Sequence, residues 1–452
     1  MKKKSDKHIS IGEKMDSTKK EIYLSSIVIS LIVFFIFFER TFILVLRSNI
    51  IVQFGIIIIL LIMLFFKPTK NDRLEISFTS IDFIWIFSII VIQVYVIFAG
   101  IIEYYEHFIM YSIGIMLLVL AKANIDRFKT SFLIIKYSSI LYAIMSIIHY
   151  LFTDIYHNIV FRFVPKVVQV RILELVSHDY YPGLGYAQPA IAAGYMIIGI
   201  GIIMSSISFR NNKEKIIDMF YIISLLLSVS LTGKRSILLW GILAMLITYY
   251  ILSPKVKKIS RQIKLLLGLV IVSFIVYIIF TYFDSIEFFN RLIHTINGLI
   301  AGEDVTSGRT TLYGGAWKLF SENPIIGIGW QQYIIITSDW FSFRDLTVHN
   351  VYLQLLAETG FVGFLSVVIA LLYVLFNTYK VLKKIINTEN NYNPLWEVGI
   401  TFSFYIQIFF ILYSLTENPF YNTIYILIYF YSITIINSFK HLCSTTEKKD
   451  KF

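Results

Sequence analysis

The fold class this chain predicts is an all-α, polytopic membrane protein, and three observations predict it. Of 452 residues, 57% are hydrophobic and 15% charged, and the mean hydropathy is +0.72, far outside the range of soluble domains. Apolar runs long enough to cross a bilayer, about 20 residues each, recur from end to end. Basic residues cluster in every second connection between those runs, as the positive-inside rule requires.

The runs predict spans near 22–38, 49–66, 81–99, 107–121, 131–152, 186–208, 216–232, 236–252, 265–283, 353–377, 396–415 and 421–438, about twelve in all. A polar, lysine-rich tail, 1–21, precedes the first. That run ends at Phe38-Glu39-Arg40 without a small-residue cleavage site, so the first span is read as uncleaved. Segment 41–48, apolar apart from Arg47, blurs the first hairpin.

With the N-terminus inside, the cytoplasmic connections hold Lys67, Lys70 and Arg73; Lys122, Arg127 and Lys129; Arg210, Lys213 and Lys215; Lys255, Lys257, Lys258, Arg261 and Lys264; and Lys380, Lys383 and Lys384. The inner side then carries 29 basic and 14 acidic residues and the outer side 11 and 15, nets of +15 and −4. Topology therefore accounts for the overall charge of +11, and nucleic acid is excluded as a partner. Both termini fall in the cytoplasm, including a tail at 439–452. The single cysteine, Cys443, lies in that tail, which excludes a disulfide framework and a cysteine metal site.

Orientation gives no reason for the basic residues left outside: Arg40, Arg47, Arg162, Lys166, Arg171, Lys234, Arg235, Arg291, Arg309, Lys318 and Arg344. They are candidates for anion contacts. Two outer connections are long. The first, about 153–185, leads through Pro-Gly-Leu-Gly turn chemistry into the sixth span. The second, 284–352, separates spans 1–9 (22–283) from spans 10–12 (353–438). Within it, Ser307 can cap a surface helix whose Leu312, Ala316, Leu319 and Phe320 recur at helical spacing, and Asn323-Pro324 stops that helix. No sequence repeat relates the two halves of the chain, which counts modestly against a repeat-built transporter.

Three polar groups fall on the outer side: Thr232-Gly233-Lys234-Arg235-Ser236, Ser307-Gly308-Arg309 and Val348-His349-Asn350. Cations at span ends commonly snorkel to headgroups, so spacing does not decide between that role and an anion clamp for Lys234 and Arg235. Arg309 reads either as a solvated loop arginine or as a phosphate ligand. His349, with Asn350 beside it, reads either as an interfacial anchor or as a general base, because imidazole offers a neutral nitrogen near neutral pH. Gly327 and Gly329 permit close backbone approach to a ligand, although a turn is their ordinary use. Glu358 and Glu417 lie near span ends, where solvation is the ordinary reading. No Asp-x-Asp pair, His-Glu-x-x-His or Gly-x-Ser-x-Gly occurs. A metal-bridged sugar transferase, a zinc protease and an elbow-type hydrolase thus lack their signatures, and neither metal nor cofactor is expected.

Taken together, SGRTTLYGGAWKLFSENPIIGIGWQQY followed by VHNVYLQLLAETGFVGF resembles the O-antigen ligase and polymerase superfamily, in which an Arg-led helix, Asn-Pro, a Gly-x-Gly turn, His-Asn and Glu-x-Gly precede a late span. LTGKRSILLWGILAML and GLGYAQPAIAAGYMIIGI are similar to further segments of that family, and close agreement covers roughly a quarter of the chain. The resemblance implies a metal-independent glycosyltransferase in the cytoplasmic membrane with its site on the outer face. It implies a polyprenyl-diphosphate-linked glycan donor and a glycan acceptor as substrates, membrane lipid as surroundings, and a flippase and a chain-length regulator as partners. Arg235 and Arg309 would hold the diphosphate and His349 would activate the acceptor hydroxyl. Lys234, Arg171, Gly327, Gly329, Asn350, Glu358 and Glu417 would line the substrate. A polysaccharide polymerase is the leading reading. A ligase acting on lipid A core or on protein is its rival within the family, and a flippase for a lipid-linked anion is the rival outside it.

Overall fold

In the computed structural model the described residues are 26–46, 49–65, 78–99, 105–252, 309–338, 340, 347–387 and 392–449. Among them the chain is α-helical with short 3-10 turns and no strand. The expected ninth span, 265–283, lies outside the described residues, as do Arg47, Ser307, Arg291 and Arg344. Each of the other eleven expected spans falls on a helix.

In order these are α1 (Ser26–Phe37), α2 (Glu39–Leu46), α3 (Asn49–Phe65), α4 (Ser80–Ala99), α5 (Tyr105–Leu120) and α6 (Lys129–Leu151). The first long connection supplies two short helices, α7 (Thr153–Val160) and α8 (Lys166–Val176), before α9 (Pro189–Ser206), α10 (Asn212–Leu231) and α11 (Arg235–Ile251). The second supplies α12 (Arg309–Glu322) and α13 (Gln332–Ser338), then α14 (Val351–Asn387), α15 (Pro394–Tyr413) and α16 (Thr423–Lys449). Among the described residues six segments are long and apolar enough to cross a membrane, with α1, α5 and α11 as shorter apolar helices. The chain is a multi-pass membrane protein.

Burial sorts these helices by composition. α9 and α15 are apolar on every side and are buried on nearly every side, which places them at the bundle centre. Polar side chains reach across to carbonyls there: Ser139 Oγ donates to the Tyr195 carbonyl at 2.7 Å and the Tyr405 hydroxyl to that of Ile197 at 3.1 Å. By contrast α4 and α14 keep an exposed apolar stripe, on α14 Phe361, Leu365, Ile369, Leu372 and Phe376, suited to lipid contact.

Two buried ion pairs close one end of the bundle. Lys122 meets Asp82 at 2.5 Å, Asn437 donates to the other Asp82 oxygen at 2.7 Å, and Lys136 meets Asp218 at 2.6 Å. Pairing and neutral donors together make such burial tolerable. The polar groups singled out above gather at the opposite end.

The surface helix expected after Ser307 is α12. Leu312, Ala316, Leu319 and Phe320 are all buried, and the helix stops at Glu322, just before Asn323-Pro324. One feature was not expected. α14 runs 37 residues and is broken at Gly360 (φ 59°, ψ −161°) into a short segment, Val351–Thr359, and the long membrane helix.

Candidate active site

The turn after α12 explains the break. Its backbone docks against the broken helix: Ile328 N–H donates to the Ala357 carbonyl at 3.0 Å, Gly329 N–H to that of Glu358 at 2.9 Å and Phe361 N–H to that of Pro324 at 2.8 Å. Gly327 has φ +69°, and a Cβ there would lie 2.4 Å from the Glu358 carbonyl carbon. A Cβ on Gly360 would lie 2.3 Å from the Ile325 oxygen. Gly327 and Gly329 therefore bring backbone close to backbone, and what they approach is the chain itself.

That docking sets the start of α14. Asn350 caps it, its Oδ1 accepting from Leu353 N–H at 3.1 Å, while its Nδ2 donates to the Leu415 carbonyl at 3.0 Å. His349, immediately before the cap, has φ +54°, a sparsely populated conformation for a side-chain-bearing residue. Val351 N–H donates to the Ser414 carbonyl at 2.9 Å, which helps to hold this bend.

The groups meet at the connection between α15 and α16. Glu417 Oε2 lies 2.9 Å from His349 Nδ1, and Glu417 Oε1 accepts from Arg309 at 2.9 Å. Arg309, the first residue of α12, also donates to the Thr416 carbonyl at 2.7 Å and hydrogen-bonds the Tyr313 hydroxyl one turn on. Trp240, on the first turns of α11, donates to Thr416 Oγ1 at 2.8 Å and ties that helix start to the same connection. The side chains of Arg309, His349 and Glu417 are 26%, 30% and 18% exposed, so the cluster is enclosed yet open to a ligand.

Electrostatically, Lys234, Arg309 and His349 gather around one carboxylate, Glu417. Lys234 precedes Arg235, the first residue of α11; it is half-buried, and its ammonium lies within the influence of Glu417, Arg309 and Arg171. Burial, with Arg309 and Arg171 adding to it, pulls its pKa below the ordinary lysine value despite Glu417. Burial pushes the Glu417 carboxyl up, but the His349 hydrogen bond and the charges of His349, Arg309 and Lys234 outweigh it and hold the group below its usual value. A carboxylate held ionised can only accept, so His349 Nδ1 carries the proton of that hydrogen bond, and Nε2 is the ring nitrogen that Glu417 does not engage.

Of the expected site residues, the fold brings Arg309, His349, Lys234 and Glu417 together, whereas Arg171 is exposed and pairs with Glu174 on its own helix at 2.6 Å. Arg235 lies half-buried beside them. Asn350 spends its side chain on the cap and the Leu415 carbonyl. Glu358 is fully buried, both oxygens accepting from protein donors. Sequence reasoning missed Thr416, Trp240 and Tyr313, whose roles depend on tertiary contacts that no local spacing announces.

Fold and site together define a multi-pass helical membrane protein with an enclosed cationic cluster and a carboxylate-held histidine at one bundle end. Residues 220–387 match the family model described as O-antigen ligase, and this supports the O-antigen ligase and polymerase superfamily, glycosyltransferase-like proteins, for the chain. The match spans Lys234, Arg235, Arg309, His349 and Glu358, and Glu417 lies beyond it. No curated protein matches the chain.

Proposed function

We propose that the chain is a polysaccharide polymerase, an inverting glycosyltransferase joining polyprenyl-diphosphate-linked repeat units on the outer face of the cytoplasmic membrane. One observation carries this reading. Lys234 and Arg309 lie about the Glu417 carboxylate, while Arg171 is paired with Glu174 at 2.6 Å, and among the described residues no hydrogen bond or ion pair engages the Lys234 ammonium. A half-buried lysine with no direct partner among the described residues offers its charge to an anion, and a diphosphate fits that charge. The excess of lysine and arginine in the connections at the opposite end favours the orientation by the positive-inside rule.

Diphosphate is already a good leaving group. Catalysis then needs an acceptor hydroxyl placed behind the anomeric carbon and charge stabilised on the departing oxygen. Arg309 and Lys234, with Arg235 beside them, supply that charge without requiring a metal. His349 Nε2 takes the acceptor proton as the new glycosidic bond forms and the bond to diphosphate breaks. Glu417 holds the ring and stabilises the imidazolium. One displacement inverts the anomeric configuration. A flippase would deliver the units and a chain-length regulator would set the stop.

The test is purified protein with a defined lipid-linked repeat. A ladder of longer glycans together with released polyprenyl diphosphate is expected, and a product retaining the donor's anomeric configuration would sink the mechanism. The description of the matched family favours a second reading, a ligase: preformed polymer moved onto lipid A core or protein, with no ladder. Movement of the lipid across liposomes without bond formation would instead support a transporter.

A further inference from the structure

Glu358 lies one helical turn after Gln354 on the short segment that follows His349, and both are fully buried. Gln354 Nε2 donates to Glu358 Oε1 at 2.9 Å, the Tyr421 hydroxyl donates to Glu358 Oε2 at 2.9 Å, and Gln331 adds a backbone N–H. Gln354 Oε1 in turn accepts from Asn418 Nδ2 at 2.6 Å, and Asn418 directly follows Glu417. The segment Asn418–Tyr421 therefore hangs from this helix at two points. Among the described residues no cation contacts Glu358.

We propose that Glu358 is a positioning residue for the reaction, acting through Gln354 and Asn418 to register Glu417 against His349. In its ionised form the Glu358 carboxylate can only accept, so it forces the Gln354 amine toward itself and the Gln354 carbonyl toward Asn418. The chain of amides then has one polarity and the Glu417 connection one register. A glutamine at 358 offers the same shape but also a donor. Both amides can then flip, two polarities become comparable, and the register is lost. A buried carboxyl is a costly way to hold a loop unless its direction matters.

The proposal rests on His349 being the acceptor-activating base, so the test reads the ring directly. Full-length protein carrying ¹⁵N-labelled histidine, reconstituted in lipid nanodiscs, reports the His349 tautomer above neutral pH. The wild type is expected to hold the Nδ1–H form, and Glu358→Gln to give a mixture of both forms. Elongation in Glu358→Gln is expected to fall about tenfold in kcat with KM for the lipid-linked donor unchanged. Tyr421→Phe removes one donor but leaves the carboxylate and both amides, and it should keep the wild-type tautomer. Gln354→Met cuts the chain without touching the carboxylate and should reproduce the mixture, which covers the case in which Glu358→Gln does not fold. A wild-type tautomer in Gln354→Met, or in folded Glu358→Gln, overturns the proposal. If the wild type makes no glycan ladder while the tautomer still responds to Glu358, the polymerase reading fails and the positioning chain stands.

Discussion

Two regions build this site in opposite ways. The stretch from Ser307 to Gly363 carries the groups that would touch substrate, Arg309 and His349, amid glycines and polar side chains that draw attention in a mostly apolar chain. The connection Ser414-Leu415-Thr416-Glu417-Asn418 has no motif, yet each of its residues bonds to another element of the site: Ser414 to Val351, Leu415 to Asn350, Thr416 to Arg309 and Trp240, Glu417 to Arg309 and His349, and Asn418 to Gln354. One region supplies chemistry and the other supplies geometry. Reacting groups on a surface helix and a loop become a site only when a third element holds them in one frame.

The comparison can be broken experimentally. The largest effect is expected from His349→Ala, which should lower elongation by about 10² to 10⁴-fold with membrane insertion intact, checked by the glycan ladder. Undiminished activity would remove His349 from the site. Glu417→Gln tests the geometric region: it keeps the shape but frees the tautomer, and kcat should fall about 10²-fold. A Glu417→Gln enzyme with wild-type kcat would mean that the connection organises nothing.

Gly327→Ala separates folding from chemistry. The left-handed φ and the close Glu358 backbone predict a loss of about 1–3 kcal/mol, read as a lower thermal midpoint in detergent. An unchanged midpoint would free that glycine for a ligand. Smaller still, Trp240→Phe removes one hydrogen bond to Thr416 and should cost about 1 kcal/mol, seen as a modest rise in donor KM.

The pH dependence sharpens the same contrast. Because Glu417 is held below its ordinary 4.5, its stabilising contribution is present above about that pH and is lost as pH falls through the lower folded-state value. The wild-type thermal midpoint should therefore drop on acidification through that window. Glu417→Gln should drop less, and equal curves for the two proteins would count against the ion-pair arrangement.

Much of the fold was legible because membrane spans follow from local composition: eleven of the twelve expected spans meet helices, and α12 ends where Asn323-Pro324 required. The break at Gly360 was not legible, since a glycine within an apolar run looks like any other until a turn lies against it. The site was half legible. Arg309 and His349 stand in a recognisable order along the chain, whereas Glu417, in Leu-Thr-Glu-Asn-Pro-Phe, enters through the resemblance only as a substrate-lining residue, and its bonds to His349 and Arg309 have no local signal.

By itself, then, the sequence determined the solvent of this protein, the number and order of its apolar segments, and the side chains able to bind phosphate or accept a proton. Hydrophobic transfer and local helix chemistry act over a few turns, so a linear reading captures them. Only the tertiary structure decided that Lys234 acts on the Glu417 carboxylate, that Glu417 joins Arg309 to His349, and that Gly327 meets Glu358. Those outcomes depend on the directions of hydrogen bonds between residues as far as 108 positions apart, and no local pattern encodes such directions.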